Sequence, residues 1–200
     1  VRVVAGDYGG RPLKALDGKT TRPTTDKVKG AIFNMIGPYF NGGRALDLFA
    51  GSGGLSIEAV SRGMDEAVLV EKDFRAQKIV MENIKMTKED SKFTLLKMPA
   101  EKAMNSLATQ GQKFDLVLLD PPYAKEEIEN NIQFLQDKDM LSDDVIIVCE
   151  TDKSVDLSNE IGSFELIKQK IYGISKISIY EKVLDQVEEE NNKDMEQVND

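Results

Sequence analysis

The 200-residue chain predicts an α/β fold, a mostly parallel seven-stranded sheet that ends in an antiparallel hairpin. Two observations carry this. Between residues 45 and 149, short apolar runs alternate with segments of helical period, and repeated βα units imply parallel strands joined by right-handed crossovers. From residue 164 onward, two apolar runs meet near Gly173 with no helix between them, so at least one runs antiparallel to the rest.

The elements follow in order. Residues 1–20 alternate short apolar pairs with glycine and charge. The turn signals Gly9-Gly10 and Asp17-Gly18 predict a basic β-hairpin arm over residues 1–22. A loop over 20–25 ends in a candidate helix cap. Val28, Ile32, Phe33, Met35 and Ile36 then mark a helix over 26–36, stopped by Gly37-Pro38. Strands are expected at 45–49, 67–71, 93–96, 114–119 and 145–149, separated by helices at 55–62, 74–86, about 101–108 and about 126–136. The closing hairpin comprises 164–172 and 174–183. One domain over 23–184 is expected, followed by an acidic tail, 185–200, whose composition predicts disorder.

Composition narrows the function classes. At 40% apolar residues the chain can bury an ordinary core, yet no stretch approaches the roughly 18–20 apolar residues of a membrane span. The opening Val1–Gly6 is too short and too soon interrupted for a secretory signal, so a cytoplasmic protein is expected. Cys149 is the only cysteine, which excludes an intrachain disulfide, and its apolar run predicts a buried, inert thiol. The absence of histidine excludes Ser-His-Asp catalysis, a Cys-His pair and His-ligated metal, and no metal is expected.

The net charge of −9 is unevenly spread. Residues 1–44 carry eight basic and three acidic groups, whereas 181–200 carry eight acidic and two basic ones. Screening over about 8–10 Å makes local charge govern phosphate contact, so the basic head is compatible with a nucleic-acid partner. Arg2, Arg11, Lys14, Arg22 and Lys27 are the candidate phosphate-contacting residues.

Asp120-Pro121-Pro122-Tyr123 directly follows the apolar run 114–119. A polar, proline-stiffened corner after a buried strand is where α/β proteins place ligands. The carboxylate and the exposed carbonyls can accept hydrogen bonds from a planar amino group, and the aromatic ring can hold the attached base. Asp120, Pro121, Pro122 and Tyr123 are therefore the candidate catalytic residues for chemistry on an exocyclic amine of a nucleobase.

The cofactor candidates lie between the first strand and its helix. Gly51 and Gly53 let the backbone turn tightly and approach a ligand. Asp47 lies four residues before Gly51, and Glu71 closes the second strand, where a carboxylate can hold a ribose diol. A dinucleotide site expects a third glycine where Ser56 stands, and no Walker-type phosphate loop occurs. A glycine turn without lysine suits a ligand lacking phosphates. S-adenosylmethionine is such a ligand, and Asp47 could serve its ammonium group.

These residues resemble the class I, Rossmann-like methyltransferases, and more closely the bacterial RsmD family, which methylates N2 of a guanine in 16S ribosomal RNA. Three blocks carry the resemblance: 21–28 with Phe33-Asn34, then 46–55, then 119–123. The last two recur in many methyltransferases, and the first is the more specific. The resemblance implies cofactor binding by Asp47, Gly51, Ser52, Gly53 and Glu71, with Thr24 and Asn34 across the pocket. Relatives often place an Asp beside the adenine where this chain has Pro99, so a backbone contact from Ala100 is the expected substitute. It also implies 16S rRNA or an assembling small ribosomal subunit as partner. A monomer is expected. The competing readings are a DNA adenine-N6 methyltransferase and a non-catalytic ribosome-assembly RNA-binding module, with a nicotinamide dehydrogenase disfavoured by Ser56.

Overall fold

In the computed structural model, residues 1–16 and 24–184 are described. Residues 17–23 and 185–200, which hold Arg22, the Asp17-Gly18 turn of the expected arm and the acidic tail, lie outside the described residues.

The chain runs α1 (Asp26–Ile36), β1 (Arg44–Asp47), α2 (Gly54–Ser61), β2 (Glu66–Val70), α3 (Phe74–Thr87), β3 (Phe93–Leu96), α4 (Ala100–Ala108), β4 (Phe114–Leu119), α5 (Ala124–Asp137), β5 (Leu141–Asp152), β6 (Glu160–Ile161), β7 (Phe164–Tyr172) and β8 (Ser175–Lys182). The strands form one sheet in the order β3-β2-β1-β4-β5-β8-β7-β6. The first five are parallel, while β8, β7 and β6 pair antiparallel. The strand order reverses between β1 and β4, which opens a crevice at their carboxyl ends, where open α/β sheets bind ligands.

Two apolar layers cover the sheet. On one face Ile32 and Phe33 of α1, Ile57 of α2 and Val80 and Ile84 of α3 pack with Leu116, Ile177 and Ile179. On the other, Met104 of α4 and Ile128 and Ile132 of α5 pack with Val117, Ile147 and Tyr180. Strands buried on both faces read as continuous apolar runs, which is why β4 and the centre of β5 carry almost no polar residue. Burying one such Leu or Ile side chain contributes roughly 1.5–3 kcal/mol. Among the described residues, no helix is long and apolar enough to cross a membrane.

Among the described residues the sheet has eight strands, because the two-residue β6 is added beside β7. So short a strand carries no periodic signal. β5 extends from Leu141, four residues before its apolar run, since Phe114 pairs with Leu141 ahead of an irregularity in the ladder.

The described part of the N-terminal segment pairs antiparallel across one bridge, Arg2 with Pro12, flanked by bonds from Val3 N–H to the Arg11 carbonyl (3.0 Å) and from Leu13 N–H to the Val1 carbonyl (2.9 Å). It packs onto the domain. Val3, Tyr8 and Leu13 are buried, and Glu58 of α2 accepts the N–H groups of Val4 at 2.8 Å and Ala5 at 3.1 Å. Glu58 is fully buried and ion-paired with Arg62 at 2.8 Å and Lys29 at 3.7 Å, and Lys29 donates to the Arg2 carbonyl at 2.5 Å. A buried carboxylate persists only with such partners.

Candidate active site

The glycine loop is pinned from both sides. Leu48 N–H donates to Leu118 of β4, and Ala50 N–H donates to Val70 of β2 at 2.9 Å. Gly51 (φ 58°) and Gly53 (φ 82°) take left-handed conformations. A Cβ on Gly53 would press on Leu69 at 3.2 Å, whereas one on Gly51 would meet no protein atom within 4 Å. Gly51 therefore borders open space, and a ligand can lie directly on its backbone.

Asp47 ends β1 and is buried. It accepts the Ser56 hydroxyl at 2.8 Å and the Phe49 N–H at 3.4 Å. Burial pushes its carboxyl up to about 7 against the pull of those two bonds, and the charge of Glu71 adds to the rise. Glu71 follows β2 and accepts the N–H groups of Gly51 and Asp73, each at 3.0 Å. Each carboxylate oxygen retains a further acceptor site, so a diol can bind without displacing either amide. Ala100 opens α4, so its N–H is among those with no acceptor within the helix.

Asp120 follows β4. Pro121 is buried, Pro122 is exposed, and Tyr123, at the start of α5, is 80% exposed. Glu150 was not among the residues singled out from sequence. It stands near the end of β5, and since Leu119 pairs with Cys149 in parallel register, Asp120 and Glu150 are neighbours on the rim. Crowding by protein, then the charges of Glu150 and Asp47, push the Asp120 carboxyl up, although the residue keeps an open side toward solvent. Burial likewise raises Glu150, opposed by a 3.1 Å hydrogen bond from the Thr24 hydroxyl. Cys149 is buried and its thiol is pushed up by dehydration alone.

Asp47, Asp120 and Glu150 thus form a carboxylate cluster at the sheet crevice, bordered by the Gly51 backbone and Glu71. Such a cluster suits a ligand that carries positive charge and hydroxyl donors. Asn34 is exposed in the later turns of α1.

Asn83 of α3 was also missed. Buried, it donates to the carbonyls of Ser52 (2.8 Å) and Lys14 (3.0 Å) and accepts the Lys14 N–H (2.8 Å). It ties the glycine loop to the N-terminal segment. A buried Asn in a helix is the signal that could have found it.

The basic candidates separate. Arg2 and Lys27 are exposed, and Arg2 lies 3.7 Å from Asp26. Lys14 is exposed and pairs with Glu82 at 2.8 Å. Arg11 is committed to the fold. Its guanidinium stacks on Tyr8 and donates to the carbonyls of Met86 and Thr87 at the end of α3. Arg22 is outside the described residues.

The family described as Conserved hypothetical protein 95 matches residues 1–181. A Bacillus subtilis (strain 168) protein, provisionally named the rRNA methyltransferase YlbH, is 43% identical over 91% of this chain and 99% of its own. Ribosomal RNA small subunit methyltransferase D of Escherichia coli (strain K12) is 30% identical over 91% of this chain and 90% of its own. A solved Streptococcus pyogenes structure, titled a conserved hypothetical protein, is 62% identical, with a TM-score of 0.74 over 78% of this chain and 96% of that one.

Proposed function

The chain belongs to the RsmD family of rRNA methyltransferases, and from that premise we propose that it transfers the methyl group of S-adenosylmethionine to the exocyclic N2 of a guanine in 16S rRNA. The observation that carries the reading is the position of Asp120. It directly follows the strand beside β1, next to Asp47 and Glu150, and is itself followed by the buried Pro121 and the exposed Tyr123.

The residues fit the cofactor. Gly51 offers open backbone, Glu71 a diol acceptor, and the carboxylate cluster a counter-charge to a sulfonium and an ammonium group. When bound, S-adenosylmethionine supplies an electrophilic methyl group on positively charged sulfur. Asp47 would hold the amino-acid end, and the Ala100 N–H would face the adenine. Both are our assignments.

The guanine amine is a weak nucleophile because its lone pair is delocalised into the ring. Asp120 and the Pro121 carbonyl accept its two N–H groups, which turns the nitrogen lone pair toward the methyl carbon. As the new N–C bond forms, positive charge grows on nitrogen and these hydrogen bonds strengthen, so they favour the transition state over the ground state. The nitrogen then loses one proton, and a carboxylate of raised pKa is a better acceptor for it than an ordinary one. Tyr123 stacks on the base, which contributes about 1–3 kcal/mol. The base must leave any stack to reach the corner, and a loop base does so at least cost.

The test is methylation of small-subunit RNA from a strain lacking the gene, with nucleosides analysed by mass. N2-methylguanosine is expected at one position. N6-methyladenosine, or a preference for DNA, would replace this reading with the adenine one. Failure to bind S-adenosylmethionine in calorimetry would replace it with a non-catalytic module.

A further inference from the structure

We propose that the β7–β8 ribbon, outside the crevice itself, is a second RNA-contacting surface through Lys168, Lys170 and Tyr172. The inference rests on the proposed action on RNA and adds a surface to it.

The ladder fixes which side chains share a face. Lys168 pairs with Ile179, Lys170 with Ile177 and Tyr172 with Ser175. Ile177 and Ile179 belong to the apolar layer that contains α1, so Lys168, Lys170 and Tyr172 stand on the α1 side of the sheet. Both lysines are exposed. The Lys170 ammonium lies 5.5 Å from the centre of the Tyr172 ring, which holds it above the aromatic face.

The same ladder places this row beside the chemistry. β8 runs antiparallel to β5 and pairs Ser175 with Asp152 and Ile177 with Glu150. The 172–175 turn therefore lies at the carboxyl end of the sheet, on the rim that carries Asp120 and Glu150. It is tied there by a 2.8 Å bond from Lys153 N–H to the Ile174 carbonyl. At about 3.3 Å per residue, Lys170 and Lys168 lie roughly 7 and 13 Å from Tyr172 along the strand. The row ends on the side away from the rim, where Glu165 faces Glu181 across the ladder. Along β7 itself the half near the crevice is cationic, with Glu150 and Asp152 two strands away on the same face.

Its apolar content is also unusual for an exposed ribbon. Ile167, Ile171 and Ile174 are 49%, 57% and 42% exposed. Along most of β7 the outer edge is unpaired, because β6 meets only Phe164 and Glu165. Lysines on an edge strand also discourage pairing with other sheets. That role does not require an aromatic ring at the rim or a row that stops short of Glu165. Cations spaced along a strand, leading to an aromatic platform, match a single-stranded segment whose phosphates take the lysines and whose base stacks on the ring. The RNA flanking the target nucleotide is the assigned occupant.

The experiment compares the wild-type protein, K168E/K170E, Tyr172→Ala and a control, Lys138→Glu, at the end of α5 on the opposite face. Each is assayed for methylation of small-subunit RNA at several salt concentrations and for S-adenosylmethionine affinity. K168E/K170E should raise KM for RNA at least tenfold and flatten the salt slope by about 1.4, at roughly 0.7 for each single-strand phosphate deprived of its lysine. Tyr172→Ala should raise KM with little change in slope. Cofactor affinity and the control should match wild type. Unchanged KM and slope in K168E/K170E would overturn the inference while wild-type activity stands. Inactive wild type on RNA would instead overturn the reading on which it rests.

Discussion

Asp120 and Glu150 sit side by side at the carboxyl ends of adjacent parallel strands, and the charge of Glu150 raises the affinity of Asp120 for a proton. Only Glu150 has the Thr24 hydroxyl to steady its charge. Of the pair, Asp120 is left to take a hydrogen from a substrate amine.

Asp120→Ala should therefore lower kcat by at least about a hundredfold, the usual scale for losing a transition-state acceptor. Cofactor affinity, measured by calorimetry, should stay within about threefold of wild type. An equal loss of cofactor binding would reassign Asp120 from the methyl acceptor to the donor.

The pH profile follows from the same pair. A raised carboxyl pKa keeps Asp120 protonated to higher pH, so kcat/KM for the RNA, at saturating cofactor, should fall as pH drops toward and below 7. Glu150→Gln removes the repelling charge while keeping an acceptor for Thr24. It should shift that acid limb to lower pH. A limb that stays in place would show that Glu150 does not act on Asp120.

Asp47 makes a stability prediction. Its folded pKa, about 7, lies above that of an unfolded Asp. Between about pH 4 and 7 the folded state holds a proton that the unfolded chain has lost, so stability falls as pH rises through that window. In the absence of cofactor, denaturant midpoints of wild type should decline from pH 5 to 8 relative to Asp47→Asn, by on the order of 1 kcal/mol or more. The same variant should bind S-adenosylmethionine at least tenfold more weakly.

The two loop glycines should respond differently. Gly53→Ala crowds Leu69 in a left-handed conformation and should cost about 1–3 kcal/mol in thermal or denaturant unfolding. Gly51→Ala has room for its methyl group and carries the backbone strain alone. Its larger effect should appear as weakened cofactor binding, since the methyl group enters the space a ligand would use.

Asn83→Ala should affect both regions that Asn83 joins. Losing its bonds to Ser52 and Lys14 leaves buried groups unpaired, at about 1–3 kcal/mol. Cofactor affinity should weaken together with protease resistance of the N-terminal segment, read by limited digestion. An effect on one without the other would show that the two are independent.

The parallel core was legible because buried strands must be apolar throughout, and the runs ending in Asp47, Glu71 and Asp120 show it directly. Glu150 was not legible, because nothing local says that the end of β5 will lie against the end of β4. That is a property of strand order. The docking of the N-terminal segment was not legible for a related reason. Its turn glycines are visible in sequence, but the groups that bury it, Glu58, Ser61 and Asn83, lie 53 to 69 positions away. Arg11 reads as a free cation until Met86 and Thr87 arrive beneath it. The lysines of β7 were passed over because alternation alone does not show which face meets the crevice.

The clasp between Glu58 and the backbone of Val4 and Ala5 has a consequence for how the molecule forms. The N-terminal residues are synthesised well before their partners on α2 and α3, and on their own they have a few backbone bonds around one bridge and no apolar surface to pack against. They must wait until those helices have docked, and long-range closure of this kind is slow. Refolding should therefore restore the sheet first and seat this segment afterwards. Cofactor competence should lag behind secondary structure, because the same late event fixes Asn83 under the glycine loop.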